Sequence, residues 1–87
     1  MNNTFTPAAW DDYLYWQQTD KKTLRRINDL MKDIRRHPLM GLGKPEQLRG
    51  ELSGIISRRI NQKDRILYEI HATTIIYLSF RGHYDKK

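Results

Sequence analysis

Cysteine is absent from this chain of 87 residues, which excludes a disulfide framework and any metal site built on thiolates. The three histidines, His37, His71 and His83, are scattered, and neither a His-x-x-x-His pair nor a cluster of carboxylates offers the spacing of metal ligands. We therefore expect no metal ion and no other cofactor. The lack of cysteine also fits a reducing compartment.

Long apolar segments are missing as well. The longest apolar stretches are far shorter than the ~20 residues of a membrane-spanning helix. The opening residues 1–4 have neither the basic start nor the apolar run of a signal peptide. These absences predict a soluble, cytoplasmic protein without a membrane segment.

Basic residues are absent from the first 20 positions, which carry three aspartates. All 16 Lys and Arg residues lie in residues 21–87 with seven of the ten acidic residues, so this part has a net charge of +9. We expect residues 1–87 to form one domain, and such a charge on a small domain favours an acidic partner, either nucleic acid or an acidic polypeptide. A merely soluble basic surface explains the charge equally well.

Two helices are predicted in the first half of the chain. After an extended start, Thr6-Pro7 is typical of a helix N-terminus. Apolar residues at steps of three and four then continue the helix to about residue 18, with Trp10 on the packed face. Thr19 or Asp20 caps a second helix, which Pro38 must end. The short connection predicts a helical hairpin.

The second half of the chain predicts a loop followed by three strands. Glycine and proline recur through residues 38–54 and indicate a structured loop. Residues 55–60, 65–71 and 74–80 are strand candidates, and the short links between them imply an antiparallel meander. We therefore expect an α+β fold, in which the N-terminal helical hairpin packs on a small antiparallel β-sheet.

Alternation along these strands predicts which side chains share a face. Ile66, Tyr68 and Ile70 should meet the helices. Arg59 should lie on the opposite, polar face, and we expect Tyr77 there too, on the same side as Ser79 and Arg81.

The chain contains the residue types needed to cut RNA through its own 2′-hydroxyl. That reaction needs a base near the hydroxyl, cations around the phosphate and an acid for the leaving 5′-oxygen. Glu46 can act as the base, Arg65 with Arg59 can stabilise the charge, and His83 can act as the acid. Spacing alone does not single these residues out, because Glu51 could replace Glu46 and His83 could be a solvent-exposed tail histidine.

Several motifs resemble those of YoeB toxins. They are Trp10–Trp16, Gly43–Glu46, Leu52–Gly54, Ser57–Ile60 and the ending His83-Tyr84. The resemblance covers nearly the whole chain and implies membership of the RelE-like superfamily of toxin–antitoxin systems. It implies a messenger-RNA endonuclease that depends on the ribosome and cuts in the A site, a YefM-like antitoxin as partner, and a toxin homodimer.

The resemblance also implies roles for individual residues. Glu46 matches the family's general base, Arg65 its phosphate-stabilising cation and His83 its general acid, with Tyr84 completing the terminal pair. We expect four further basic residues to position the RNA: Lys44, Arg49, Arg59 and Arg81.

Some positions depart from the family pattern. Ile55-Ile56 replaces expected aromatic residues, Arg49 replaces an expected lysine and Gly82 an expected tyrosine. Gly82 bears most on the chemistry, because a glycine frees the backbone immediately before His83.

Two other functions fit part of the pattern. A toxin of the ParE kind resembles the same fold but inhibits DNA gyrase through protein contacts, and it has no need of Glu46, Arg65 and His83 together. A simple basic module for binding RNA or DNA would use Arg59 and Arg65 for charge neutralisation without cutting.

Overall fold

The computed structural model of the chain describes residues 1–82. Within this part, two helices and five strands follow one another, with a short 3₁₀ turn, Gly50–Leu52, between the second and third strands. The elements are β1 (Asn2–Phe5), α1 (Pro7–Thr19), α2 (Lys21–Arg36), β2 (Glu46–Gln47), β3 (Ile56–Arg59), β4 (Arg65–His71) and β5 (Thr74–Ser79).

The predicted helix boundaries are confirmed, and their caps explain them. Thr6 accepts a hydrogen bond from the Ala9 N–H (3.1 Å) and Pro7 occupies the first helical position. Asp20 accepts from the Thr23 N–H (3.1 Å) and so starts α2. None of the helices in residues 1–82 is long and apolar enough to cross a membrane.

The predicted packing face of α1 is wrong in part. Trp10 is 47% exposed, whereas Ala9 and Trp16 are the buried residues of this helix. Trp10 lies at the edge of the core instead, where its ring stacks on Tyr13 with centroids 5.8 Å apart. The apolar spacing located the helix, but a helix that lies against the edge of a small sheet buries only a narrow stripe.

The sheet has the strand order β1-β5-β4-β3-β2. Strands β3, β4 and β5 form the predicted antiparallel meander, and β2 pairs antiparallel with β3. At the other edge β1 pairs parallel with β5, a pairing that the extended start of the chain did not predict. Two helices packed on a mostly antiparallel sheet confirm the α+β fold class.

The inner face of the sheet packs against the helices. Ile66 and Tyr68 of β4 are fully buried, as are Ile27, Leu30 and Ile34 of α2, which belong to the same core cluster. The predicted orientation of β4 is therefore correct.

Tyr77 lies on this inner face and is fully buried, contrary to its predicted place on the polar face. The cause is a register shift in the pairing of β4 with β5. Tyr77 pairs with Tyr68, but the next pair joins Ser79 to Leu67, so Leu78 is an extra residue. Such an insertion reverses the alternation along a strand, and Tyr77 and Ser79 consequently face opposite sides.

Candidate active site

The outer face of the sheet, opposite the helices, brings several of the predicted residues together. Arg59 of β3 pairs directly with Arg65 of β4, and Glu46 of β2 pairs with Ser57, two residues before Arg59. With strands ~4.8 Å apart and two residues spanning ~6.8 Å, the Cα atom of Glu46 lies about 8 Å from that of Arg59 and about 12 Å from that of Arg65. These spacings put the Glu46 side chain and the two arginine side chains within reach of a single phosphodiester.

The loop before β2 places Glu46 at the sheet edge. Gly43 accepts a hydrogen bond from the Arg59 N–H (2.6 Å), which ties the loop to β3. A Cβ atom on Gly43 would lie 2.9 Å from the Arg59 carbonyl oxygen and its φ is +80°, so this position requires glycine. Lys44 follows with φ +52°, and it is exposed beside Arg59. The motif Gly43–Glu46 therefore builds a sharp turn that sets both charged residues next to the arginine pair.

Arg65 is held by the turn that precedes it. Its Nη1 donates hydrogen bonds to the carbonyl oxygens of Asn61 (2.7 Å), Gln62 (3.3 Å) and Asp64 (3.1 Å). Among residues 1–82 its guanidinium bonds only these carbonyls, so Nε and Nη2 retain the capacity to donate to an anion. A guanidinium fixed on one side in this way is suited to binding a phosphate.

Two of the predicted RNA-binding arginines lie away from this group. Arg49 follows β2 beyond Leu48, at the opposite end of the strand from Lys44. The guanidinium carbon of Arg81 lies 3.6 Å from the centre of the Tyr15 ring, so Arg81 contacts α1. Such a contact is a cation–π interaction.

His83 and Tyr84 lie outside the described residues. The last described residue, Gly82, lies next to Arg65, because the Arg65 N–H donates to its carbonyl oxygen (2.9 Å). The chain therefore reaches position 82 beside the arginine pair.

Arg58 is a residue whose position the sequence analysis missed. It is fully buried and pairs with Asp33 of α2 through Nη1 and Oδ2, 2.5 Å apart. Its guanidinium also donates to the carbonyl oxygens of His37, Met40 (2.9 Å) and Leu42 (3.0 Å). Arg58 thus holds the loop after α2 to the sheet. The alternation of side chains along residues 56–60 could have predicted its burial, because Arg58 lies two positions from both Ile56 and Ile60 and shares their side of the sheet.

Two groups around Arg58 have shifted pKa values. The pKa of Asp33 is lowered, first because the Leu42 N–H donates to its carboxylate (3.0 Å) and then because Arg58 does. The pKa of Tyr68 is raised by burial, an effect that its hydrogen bond from Arg58 partly offsets. Both shifts keep the groups in the forms that this buried network needs, an ionised carboxylate and a neutral phenol.

A metal site is not evident in the part of the chain that the structure covers. Within residues 1–82, no three His, Cys, Asp or Glu side chains are grouped closely enough to hold a metal ion.

Comparison with known proteins finds relatives along nearly the whole chain. The family described as YoeB-like toxin of bacterial type II toxin–antitoxin system matches residues 5–84. The toxin YoeB of Synechocystis sp. is 49% identical over 86 residues, which cover 99% of this chain and 100% of the relative.

Solved structures agree with these sequence matches. A YoeB/ParE toxin from Agrobacterium tumefaciens superposes with a TM-score of 0.94 at 40% identity, over 97% of this chain and 100% of that one. Two Staphylococcus aureus structures, a heterotetrameric YoeB–YefM toxin–antitoxin complex and a YoeB dimer, give TM-scores of 0.88 and 0.89, each at 46% identity over 97% of this chain and 98% of that one.

Proposed function

This chain belongs to the YoeB family of toxins of bacterial type II toxin–antitoxin systems, and we propose that it is a ribosome-dependent endoribonuclease. It cuts messenger RNA in the A site and so inhibits translation. The observation that carries the proposal is the grouping of Glu46, Arg59 and Arg65 on one exposed face, with the chain reaching Gly82 beside Arg65.

The proposed reaction is attack of a 2′-hydroxyl on the neighbouring phosphate. Glu46 takes the proton of the hydroxyl, the 2′-oxygen bonds to phosphorus, and Arg65 with Arg59 stabilises the added negative charge. The bond from phosphorus to the 5′-oxygen breaks as His83 gives that oxygen a proton, leaving a 2′,3′-cyclic phosphate and a 5′-hydroxyl. Tyr84 assists His83 at the leaving 5′-oxygen. Protein groups supply every proton transfer, so the reaction needs no metal or other cofactor.

The rate accelerations expected from these groups are sufficient for a nuclease. Each acid or base contributes about 10²–10⁴-fold, and one preorganised charge contact contributes about 3–4 kcal/mol. The four basic residues proposed to position the RNA are Lys44, Arg49, Arg59 and Arg81, of which Arg49 and Arg81 lie away from Glu46 and Arg65. Of these, Lys44 and Arg59 adjoin Glu46 and Arg65, so we expect them to contact the phosphates nearest the scissile bond.

The proposed partners follow from the family. We propose that residues 1–87 act as one toxin domain in the cytoplasm, that the chain forms a homodimer, and that a YefM-like antitoxin inhibits it. The support is the S. aureus YoeB dimer and YoeB–YefM complex, which match this chain over almost its entire length. The net charge of +6 suits both an acidic antitoxin segment and ribosomal RNA.

The test is to map the 5′ ends of a defined messenger on translating ribosomes and as naked RNA. Wild-type protein should cut only the ribosome-occupied codon. Glu46→Gln and His83→Gln should each slow cutting by about 10²–10⁴-fold. Glu51→Gln is the matched control, since Glu51 is also an exposed carboxylate of the same segment, and it should cut normally.

The opposite pattern would point to the gyrase-inhibiting alternative. If folded protein arrests growth but cuts no RNA, and the arrest survives Glu46→Ala and His83→Gln, the nuclease proposal is wrong. Inhibition of DNA supercoiling by purified gyrase would then identify a toxin of the ParE kind. Binding of RNA without cutting or growth arrest would indicate a simple binding module.

A further inference from the structure

The last described residues are tied to the fold at each position. The Phe80 N–H donates to the Asp12 carboxylate (2.9 Å), and the Trp16 indole N–H donates to the Phe80 carbonyl oxygen (2.8 Å). Arg81 packs over Tyr15 at 3.6 Å. Three residues of the Trp10–Trp16 motif therefore hold Phe80 and Arg81, which directly follow β5, against α1.

Gly82 is held by a different element, the turn between β3 and β4. Its N–H donates to Oδ1 of Asp64 (2.8 Å), and its carbonyl oxygen accepts from the Arg65 N–H (2.9 Å). The same turn provides the carbonyl oxygens that hold the Arg65 guanidinium. Asp64 and Arg65 are adjacent, so one turn fixes both the phosphate-binding cation and the residue that precedes His83.

The carboxylate of Asp64 is not needed to form this turn. Aspartate and asparagine often stabilise turns by accepting hydrogen bonds from the backbone that follows them. Here Asn61 does this, because its Oδ1 accepts from the N–H groups of Lys63 and Asp64, each at 2.8 Å. The Asp64 side chain instead bonds Gly82, 18 residues further along the chain.

The backbone of Gly82 matches this arrangement. Its φ is +75°, a conformation that costs an L-residue with a side chain about tenfold or more in population. Apart from its chain neighbours, a Cβ atom at this position would meet no atom of residues 1–82 within 4 Å, so crowding by this part of the chain does not require the glycine. The positive φ favours it, because L-residues with a side chain rarely adopt this conformation.

We propose that Asp64 is a positioning residue. Together with Gly82 it fixes where the C-terminal segment begins relative to Arg65, and this position determines how closely His83 can approach the scissile phosphate. This inference rests on the proposed nuclease function. It assigns to Asp64 no contact with RNA.

The test compares Asp64→Ala with Asp64→Asn. Both remove the same negative charge next to Arg65, but only asparagine keeps an oxygen that can accept the Gly82 N–H. If positioning is the role, Asp64→Ala should lower the single-turnover cleavage rate on ribosomes about tenfold. The cleavage rate of Asp64→Asn should stay within about threefold of the wild-type rate, which is less than the effect of losing one hydrogen bond. Ribosome affinity should be unchanged or tighter in both variants.

A second readout does not depend on cleavage. Amide hydrogen exchange of Gly82, followed by NMR, should be slowed in the wild type and in Asp64→Asn and should be faster in Asp64→Ala. Protection elsewhere in the sheet should be unchanged in all three proteins. This result also establishes that the variants are folded.

Replacing Gly82 tests whether its backbone conformation contributes to the positioning. Gly82→Ala should reduce the cleavage rate about tenfold, whereas Gly82→Asn should be milder, because asparagine tolerates positive φ better than alanine. The Cβ atom that either replacement adds lies more than 4 Å from every atom of residues 1–82 other than its chain neighbours.

The outcomes separate this inference from the proposed function. Wild-type protein that cuts no messenger refutes the nuclease proposal and with it the role in His83 placement, while Gly82 exchange still reports on the anchor. Equal cleavage loss in Asp64→Ala and Asp64→Asn would show a charge effect and overturn positioning. A cleavage rate for Asp64→Ala equal to wild type, or Gly82 exchange that does not respond to Asp64→Ala, would also overturn it.

Discussion

Removing Asp33 should destabilise the protein more than any surface change, because Asp33 neutralises a buried guanidinium. Arg58 is fully buried, and the Asp33 carboxylate accepts both its Nη1–H (2.5 Å) and the Leu42 N–H (3.0 Å). In Asp33→Ala the charge of Arg58 stays in the core with only neutral acceptors around it, and the Leu42 N–H loses its partner.

Breaking a buried ion pair by removing one partner costs about 3–5 kcal/mol. The carbonyl oxygens of His37, Met40 and Leu42 remain as acceptors for Arg58, so we expect the lower end, about 3 kcal/mol. For a domain of this size that loss corresponds to a fall in Tm of roughly 12–24 °C. Urea denaturation followed by circular dichroism measures it.

Asp29→Ala provides the matched control. Asp29 is exposed on the same helix, and its replacement should change the free energy of unfolding by less than about 0.5 kcal/mol. A loss below about 1 kcal/mol for Asp33→Ala would refute the reasoning, since that is the range of an exposed ion pair. Adding Arg58→Met to Asp33→Ala should cost less than the sum of the two single changes, because the pair is coupled.

Three further predictions concern the same core. Tyr68→Phe should cost about 1–2 kcal/mol, because its hydroxyl bonds Pro38 and Arg58. Tyr77→Phe should be neutral or stabilising, because it removes a buried hydroxyl that has no hydrogen-bond partner among residues 1–82. Denaturation of both variants measures the two changes, and equal losses of stability would contradict the prediction. The lowered pKa of Asp33 predicts that its stabilisation is complete above its ordinary pKa of 3.8 and is lost as the pH falls through the lower folded value. The stability difference between wild type and Asp33→Asn should therefore be constant near neutral pH and shrink in acid, and a difference that grows in acid would reverse the assigned sign.

The parts of the fold set by local chemistry could be predicted from the sequence. Thr6-Pro7 and Asp20 marked both helix starts, and short turns marked the meander. Resemblance predicted the family, which the matching family description and relatives confirm. The site residues Glu46 and Arg65 were chosen for their chemistry and their motif, and the sheet register places them on one face.

The missed features depend on contacts between distant parts of the chain. Tyr77 was placed on the wrong face because the extra residue in β5 is defined by its pairing with β4 and leaves no local signal. The burial of Arg58 was not predicted, because arginine is rarely buried. Apart from Tyr68, its hydrogen-bond partners come from α2 and the following loop, 16 to 25 positions away along the chain. The bond from Gly82 to Asp64 is missed for the same reason.

The central claim is that protein side chains drive attack by the 2′-hydroxyl of the messenger itself. The most direct measurement is therefore the chemistry of the two ends produced on a translating ribosome. We predict a 2′,3′-cyclic phosphate on the upstream fragment and a 5′-hydroxyl on the downstream fragment, and no cutting when the nucleotide at the cleavage site is 2′-deoxy. A 3′-hydroxyl with a 5′-phosphate, or normal cutting at the deoxy nucleotide, would contradict the mechanism, because water would then be the attacking group.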